Sequence, residues 1–274
     1  MTQLSDGAAT LTIRIDDRVL TAVPDYVLGV LAIPAVEVAP APPAVSALLT
    51  AAEDALHAAG LDKAGVAGLP GIAAWRDAYR AVGVNPNRFP CAAESIARRV
   101  AKGDRLPRIN ALVDLCNAVS LGAALPVASC AVDGFADLVV RPADGTETYL
   151  PLGAPDAPEQ PEPGEVVYAD ADGRAHSRRW NWRQGHLVRT DLGRHRLLLT
   201  VESAHPGGRA EVTDALARLA AVLDELADGA RQEDDARQEA VLDGTTTSVV
   251  LRTAGPSTGG GPLSPAGTHR GSRP

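Results

Sequence analysis

The stretch from Arg105 to Pro126, "RLPRINALVDLCNAVSLGAALP", puts unusual side chains on a helix. Its three- and four-residue spacing predicts a helix with an apolar stripe of Ile109, Leu112, Val113, Cys116 and Val119. Beside it runs a second stripe, Asn110, Asp114 and Asn117, with two amides, one carboxylate and no compensating charge. A solvated helix face normally carries Lys, Glu or Arg. Amides on one line can hydrogen-bond a substrate, and a carboxylate can orient a water or accept a proton. The same residues also have a structural use. Asn110 is placed to cap the helix, and Asp114 and Asn117 can tie down neighbouring loops.

A second cluster is "RRWNWRQGH", Arg178 to His186. Read as a strand, it puts Trp180 and Trp182 on one face, with Asn181 and Arg183 pointing the other way. Two tryptophans on one face serve either as a core plug or as a stacking platform for a base or an aromatic side chain. The candidate substrate-binding residues are therefore Asn110, Trp180, Asn181 and Trp182. The candidates for catalysis are Asp114, Asn117 and His186, with His186 or Asp114 orienting a water.

Charge is segregated. Arg88, Arg98, Arg99, Lys102, Arg105 and Arg108 meet only Glu94 and Asp104 in their own stretch. Between Arg174 and Arg196 there are seven arginines and one acid, whereas Asp133 to Asp172 holds ten acids and one arginine. Either the basic clusters pair with the acidic segments as solvated surface, or they track phosphates. On the second reading Arg98, Arg99, Arg108, Arg178, Arg179 and Arg183 bind RNA. The net charge of −8 argues against a generic polyanion binder, and no DNA partner is expected.

Other chemistry finds no support in the spacing. There is no HExxH or CxxC, so neither a metal nor a cofactor is expected. Cys91, Cys116 and Cys130 read as buried free thiols in a reducing compartment. "MTQLSDGAATLTIRIDD" lacks the apolar core of a signal peptide, and "YVLGVLAIPAV" is too short to span a bilayer. The expectation is a soluble cytoplasmic protein with no membrane partner.

These residues need elements to position them. "TLTIRID" and "YVLGVLAI" read as strands and "PAVEVAPAPPA" as a loop. Helices are expected over Val45–Ala59, "GIAAWRDAYRAVG", "AAESIARRVAKG" and the opening stretch. From Pro126 the chain turns to strands: "LPVASCAV", "ADLVVRP", "TETYLPL", "GEVVYAD", "HSRRWNW" and "HRLLLTVES". A helix returns at "RAEVTDALARLAAVLDELADG". Aromatics are only 3% of the chain, so the core must rest on Ala, Val and Leu. Residues 229–274, acidic and then rich in Gly and Pro, read as a disordered tail.

Two segments in this order carry a resemblance: "AAWRDAYRAVGVNPNRFPCAAESIARRVAKGDRLPRINALVDLCNAVSL" and "GEVVYADADGRAHSRRWNWR". They resemble the free-standing relatives of the B3/B4 module, the editing domain of the bacterial phenylalanyl-tRNA synthetase beta subunit. The resemblance covers residues 70–228 and leaves residues 1–69 as a strand-helix segment packing on that domain. It implies an α+β fold, a layered sheet-sheet-helix sandwich, with a cleft where the ester of a mischarged tRNA is hydrolysed. The helix from Ile109 to Leu121 would lie beside that cleft. The implied function is a trans-acting aminoacyl-tRNA deacylase, with an aromatic amino acid on tRNA(Phe) as substrate. The alternative is a non-catalytic relative that binds RNA or an amino acid. Two places depart from the synthetase. "LPVASCAVD" stands where it reads Gln-Pro-x-His-Ala-Phe-Asp, which puts Ala128 at the histidine. "WNWRQG" replaces its Gly-Gly loop.

Overall fold

Strand β2 (Val27–Val38) is apolar at almost every position and has to be covered on both faces. The computed structural model, which describes residues 10–226 and 237–252, shows how. Leu28, Val30 and Ala32 enter one apolar cluster, and Val27, Leu31 and Ile33 enter another. This is the two-residue alternation of a pleated strand. β2 pairs antiparallel with β10 (Gly193–Ser203) on one side and β11 (Gln238–Leu242) on the other. With β3 (Val127–Ala131) beyond β10, they form a four-stranded sheet.

One face of this sheet receives two helices, α6 (Ala111–Ala123) and α7 (Gly208–Leu226). A Cβ at Gly29 would lie 2.4 Å from Val212 Cγ1 and 2.9 Å from Leu216 Cδ1, so this glycine lets α7 approach the sheet. The other face meets a six-stranded sheet. In spatial order its strands are β12 (Ser248–Arg252), β1 (Thr10–Ile15), β4 (Asp137–Pro142), β6 (Val166–Ala169), β7 (Arg174–Ala175) and β5 (Thr148–Tyr149). Leu11, Ile13, Leu138 and Val140 on this sheet share a core with Leu28, Val30 and Leu198 on the other. The expected sheet-sheet-helix layering of an α+β sandwich is thus present. Helices α2 (Pro43–Ala58), α4 (Pro70–Ala81) and α5 (Ala92–Ala101) complete the expected set. Two short helices, α1 (Asp17–Ala22) and α3 (Lys63–Ala67), add to it.

The structure corrects four sequence expectations. β2 does not stop at Pro34 but runs on to Val38. The register between β2 and β10 shifts between His195 and Leu197, opposite the proline, and an irregularity there accommodates the missing N–H. "HSRRWNW" is not one strand. It divides into β8 (Ser177–Arg178) and, after a turn, β9 (Arg183–Gln184), which pair antiparallel. Residues 1–69 are more than a segment packed on a domain, since β1 and β2 are interior strands of the two sheets. Finally, the expected tail contains β11 and β12, one in each sheet, joined by a turn in which the Asp243 N–H donates to the Thr246 carbonyl. Leu242 and Leu251 supply the burial that holds them. Residues 227–236 and 253–274 lie outside the described residues.

Candidate functional site

Between the two sheets, near the hairpin β8–β9, lies a cavity of about 200 Å³. Ala128, Ser129 and Cys130 of β3 and Thr200 and Glu202 of β10 form its floor. Thr200 is the direct cross-strand partner of Ala128. Val113, Cys116 and Asn117 of α6 form one side, and Phe135, Leu138, Tyr168 and His176 another. The hairpin tip, Trp180 to Gln184, covers it.

The tip is held in an uncommon backbone. Arg179 and Trp180 have φ of 44° and 65°, in the left-handed region that bulky residues avoid. The surroundings over-determine it. The Arg179 N–H donates to Glu165 Oε1 at 2.7 Å and the Trp180 N–H to the Val166 carbonyl. The Trp180 ring, fully buried, meets Tyr26 and Trp75 edge-on at centroid distances of 4.8 and 5.1 Å. Trp180 therefore plugs the core and also forms part of the cavity wall. Trp182 does not share a face with it. It packs edge-on against Phe89 at 4.8 Å, with Arg183 lying 4.2 Å over its ring. The two-on-one-face expectation fails because the chain turns between them.

Polar chemistry in the cavity centres on Glu202, which is 3% exposed. Tyr26 Oη donates to its Oε1 at 2.8 Å, Tyr168 Oη donates to the same oxygen, and Asn181 Nδ2 donates to Oε2. Tyr79 Oη in turn donates to Asn181 Oδ1 at 2.9 Å. Burial raises the Glu202 pKa and outweighs these donors. Burial and the Glu202 charge together push both phenols well above their usual range. Burial also drives up the two wall thiols, with Cys130 reaching about 12.

The expected site residues divide. Asn117, Trp180, Asn181, Trp182 and Arg183 form cavity walls. Among the described residues the Asn117 amide has no hydrogen-bond partner, so it stays available to an occupant. Asn110, Asp114 and His186 are not on the wall. Asn110 is the N-cap of α6: its Oδ1 accepts from the Leu112 and Val113 N–H groups, and its Nδ2 donates to the Thr190 carbonyl. Asp114 is fully buried, with Oδ1 accepting from the Ile109 N–H at 2.9 Å, so it fastens the chain entering the helix. Ile109 itself precedes the helix and is 55% exposed, outside the expected apolar stripe. His186 begins a short 3-10 turn, and its backbone N–H donates to the Leu150 carbonyl.

Most of the expected RNA-binding arginines are engaged internally. Arg98 pairs with Glu94, Arg108 with Glu53, Arg178 with Glu165 and Glu159, and Arg179 with Glu162. Arg99 and Arg183 remain exposed. Arg178 and Arg179 thus meet the acidic segment from Asp133 to Asp172, whereas Arg98 and Arg108 find their glutamates outside it.

Glu202, Tyr26, Tyr168, Thr200 and His176 were not singled out from the sequence. A signal for one of them existed: in "HRLLLTVES", Leu198, Thr200 and Glu202 fall on one face, so a carboxylate is aimed into a core. Among the described residues no group of His, Cys, Asp or Glu is arranged to hold a metal ion. No described helix is long and apolar enough to cross a membrane.

Comparison with known proteins adds a family. No curated protein matches. One solved structure that matches is an N-terminal fragment of the phenylalanyl-tRNA synthetase beta-subunit from Pyrococcus horikoshii, with 10% identity and a TM-score of 0.39. The match covers 82% of this chain and 51% of that one, so this chain spans about half the fragment's length. The family model for the B3/4 domain matches residues 74–228. That is more than half of the chain, from α4 to the end of α7, and it contains every strand that lines the cavity: the chain belongs to the B3/4 domain family.

Proposed function

We propose that this protein is a trans-acting aminoacyl-tRNA deacylase, hydrolysing the ester of a mischarged tRNA whose amino acid has an aromatic side chain with a hydroxyl. The observation that carries the reading is the cavity itself. It is smaller than the roughly 300–1,000 Å³ of a drug-sized site, which suits one amino-acid side chain. Its walls are mostly apolar, and its buried acceptor is the Glu202 carboxyl. A ring bearing a hydroxyl satisfies both features. A ring without one leaves the Glu202 network with less to bind.

Such a site is useful where a synthetase's own pocket cannot discriminate. An apolar pocket rejects an isostere with an added hydroxyl by only about a hundredfold. A second, hydrolytic site that hydrogen-bonds the hydroxyl makes the opposite selection. Ester cleavage needs an oriented water and donors for the developing oxyanion, and it does not require a protein nucleophile. Asn117 is an available donor on the wall.

A second reading has one observation in its favour. Ala128 is on the cavity floor, where the resemblance implies a histidine, so the chain could bind an amino-acyl end without cleaving it. The test is single-turnover hydrolysis of tyrosyl-tRNA(Phe) against phenylalanyl-tRNA(Phe), followed by a panel of other mischarged tRNAs. The expected result is cleavage of the tyrosyl ester, favoured by about 10²-fold or more, as for a site built around a hydroxyl. Binding of the tRNAs without cleavage of any would leave the non-catalytic reading standing.

A further inference from the structure

We infer that His176, oriented by Asp170, is the general base of the cavity and takes the role that Ala128 cannot fill. This rests on the deacylase reading above. Three observations lead to it. His176 forms part of the cavity wall while being only 3% exposed. Its Nε2 lies 2.9 Å from Asp170 Oδ2. Its Nδ1 is buried with no hydrogen-bond partner.

The pairing fixes the tautomer. Burial alone would raise the Asp170 pKa, but the bonds from His176 and from the Arg174 N–H and guanidinium outweigh it and bring it to about 2. Asp170 is therefore an ionised acceptor, and Nε2 carries the proton that it accepts. In the neutral ring the lone pair is then on Nδ1, the atom left without a partner. A buried acceptor with nothing to accept from is uncommon in a folded protein, and a water or substrate proton would complete it. The ring is also immobilised: it stacks on Phe135 at a centroid distance of 4.5 Å and an interplanar angle of 22°. A base held by a carboxylate on its far nitrogen has the geometry of the general-base half of a triad.

The other ionisable wall groups suit the task less. Cys116 and Cys130 are driven toward the thiol form, and Tyr168 toward the phenol. Glu202 already accepts from three side chains. Arg183 has no basic lone pair. In the step itself His176 Nδ1 takes one proton from water as the water oxygen bonds to the ester carbonyl carbon. The tetrahedral adduct then breaks its bond to the ribose oxygen, which receives that proton back from the imidazolium. The products are the free amino acid and the uncharged tRNA end.

The experiment uses the full chain and tyrosyl-tRNA(Phe). His176→Gln should slow single-turnover cleavage by on the order of 10²- to 10⁴-fold with unchanged tRNA affinity. Added imidazole should restore part of the rate to His176→Gly, which a purely structural histidine would not allow. Wild-type cleavage with an unaltered rate in His176→Gln overturns the role of His176 and leaves the deacylase reading intact. Absence of wild-type cleavage across a panel of mischarged tRNAs overturns both. If the variants fail to fold, the nitrogen-15 shifts of His176 in the wild-type protein decide. A proton on Nε2 is expected, and a proton on Nδ1 in the neutral ring would overturn the assignment.

Discussion

Two buried glutamates show how the same side chain can be a clamp in one place and a site in another. Glu53 of α2 is fully buried, and Glu202 of β10 nearly so. Glu53 accepts from Arg108 at 2.8 and 2.9 Å, from Arg105 at 3.1 Å and from the Leu106 N–H at 2.8 Å. Burial would raise its pKa, but these donors outweigh burial and bring it to about 2. Glu202 accepts only from neutral groups, two phenols and an amide, and there burial wins. The number of donors is similar, and the sign of the shift differs because only one set is cationic. The clamp ties α2 to the segment leading into α6. The other carboxyl is left incompletely stabilised on a cavity wall, where an occupant can alter its balance.

Removing the clamp should have the largest effect on stability. Glu53→Ala leaves two guanidiniums facing a gap and the Leu106 N–H without an acceptor. Losing one member of a buried pair costs about 3–5 kcal/mol, and the low end applies because Arg105 and Arg108 can turn to water. The wild-type contribution has a defined pH window. Because the folded pKa lies below the unfolded value near 4.5, the stabilisation is complete above that value. It is lost as pH falls toward about 2. Urea unfolding at neutral pH and at about pH 3 should show a large difference between the two proteins at neutral pH and a smaller one in acid. A loss below about 1 kcal/mol at neutral pH would mean that the cluster behaves as a solvent-exposed surface pair.

Glu202→Gln should act in the opposite sense. The folded pKa is raised, so ionising Glu202 costs stability as pH rises above the unfolded value near 4.5. The variant cannot ionise. Relative to wild type it should gain stability as pH rises above the unfolded value near 4.5, while losing preference for a hydroxyl-bearing ester. The change should be smaller than that in Glu53→Ala, since no ion pair is broken. A constant difference across that pH range would show that Glu202 titrates alike in the folded and unfolded chain, which would remove the contrast with Glu53.

The same contrast explains what the sequence made legible. Most helices and most strands after Pro126 follow from local periodicity, because each element must bury a face it carries in its own spacing, whereas the layering was implied by the resemblance. The basic clusters were visible too, but their partners were not. Arg108 meets a glutamate on α2, far back in the chain, and no local pattern encodes that meeting. The polar stripe on α6 was visible for the same reason, yet only Asn117 faces the cavity. Asn110 caps the helix, and Asp114 spends Oδ1 on the Ile109 N–H while its Oδ2 stays buried without a partner. The Glu202 network draws on the residue preceding β2, on β6, on β10 and on the hairpin tip at once, so it exists only after the sheets have packed. The strands in the supposed tail were missed because β11 and β12 are short and flanked by polar and small residues. Their pairing comes from the exposed edges of β1 and β2.

The smallest expected effect isolates one donor of the cavity network. Tyr168→Phe removes a hydroxyl that donates to Glu202 Oε1 and keeps the ring that lines the cavity. Its net cost to stability should be about 1 kcal/mol, the usual value for one hydrogen bond. The direction of its pH dependence is more informative than its size. The Tyr168 bond favours the charged form of Glu202, so without it the Glu202 pKa should rise further; the loss of stability still begins above the unfolded value near 4.5 but should continue to higher pH and be larger. The acid limb belonging to Glu53 should not move, because Tyr168 takes no part in that cluster. The same substitution made in Glu202→Gln supplies the control. If Tyr168 acts through the carboxyl, the pH-dependent part of its effect vanishes there, and the two changes are non-additive by about 0.5 kcal/mol or more. Additive changes with the same pH dependence in both backgrounds would mean that the phenol stabilises the sheet independently of Glu202. The cavity carboxyl would then owe its state to burial and to its other donors, Tyr26 and Asn181.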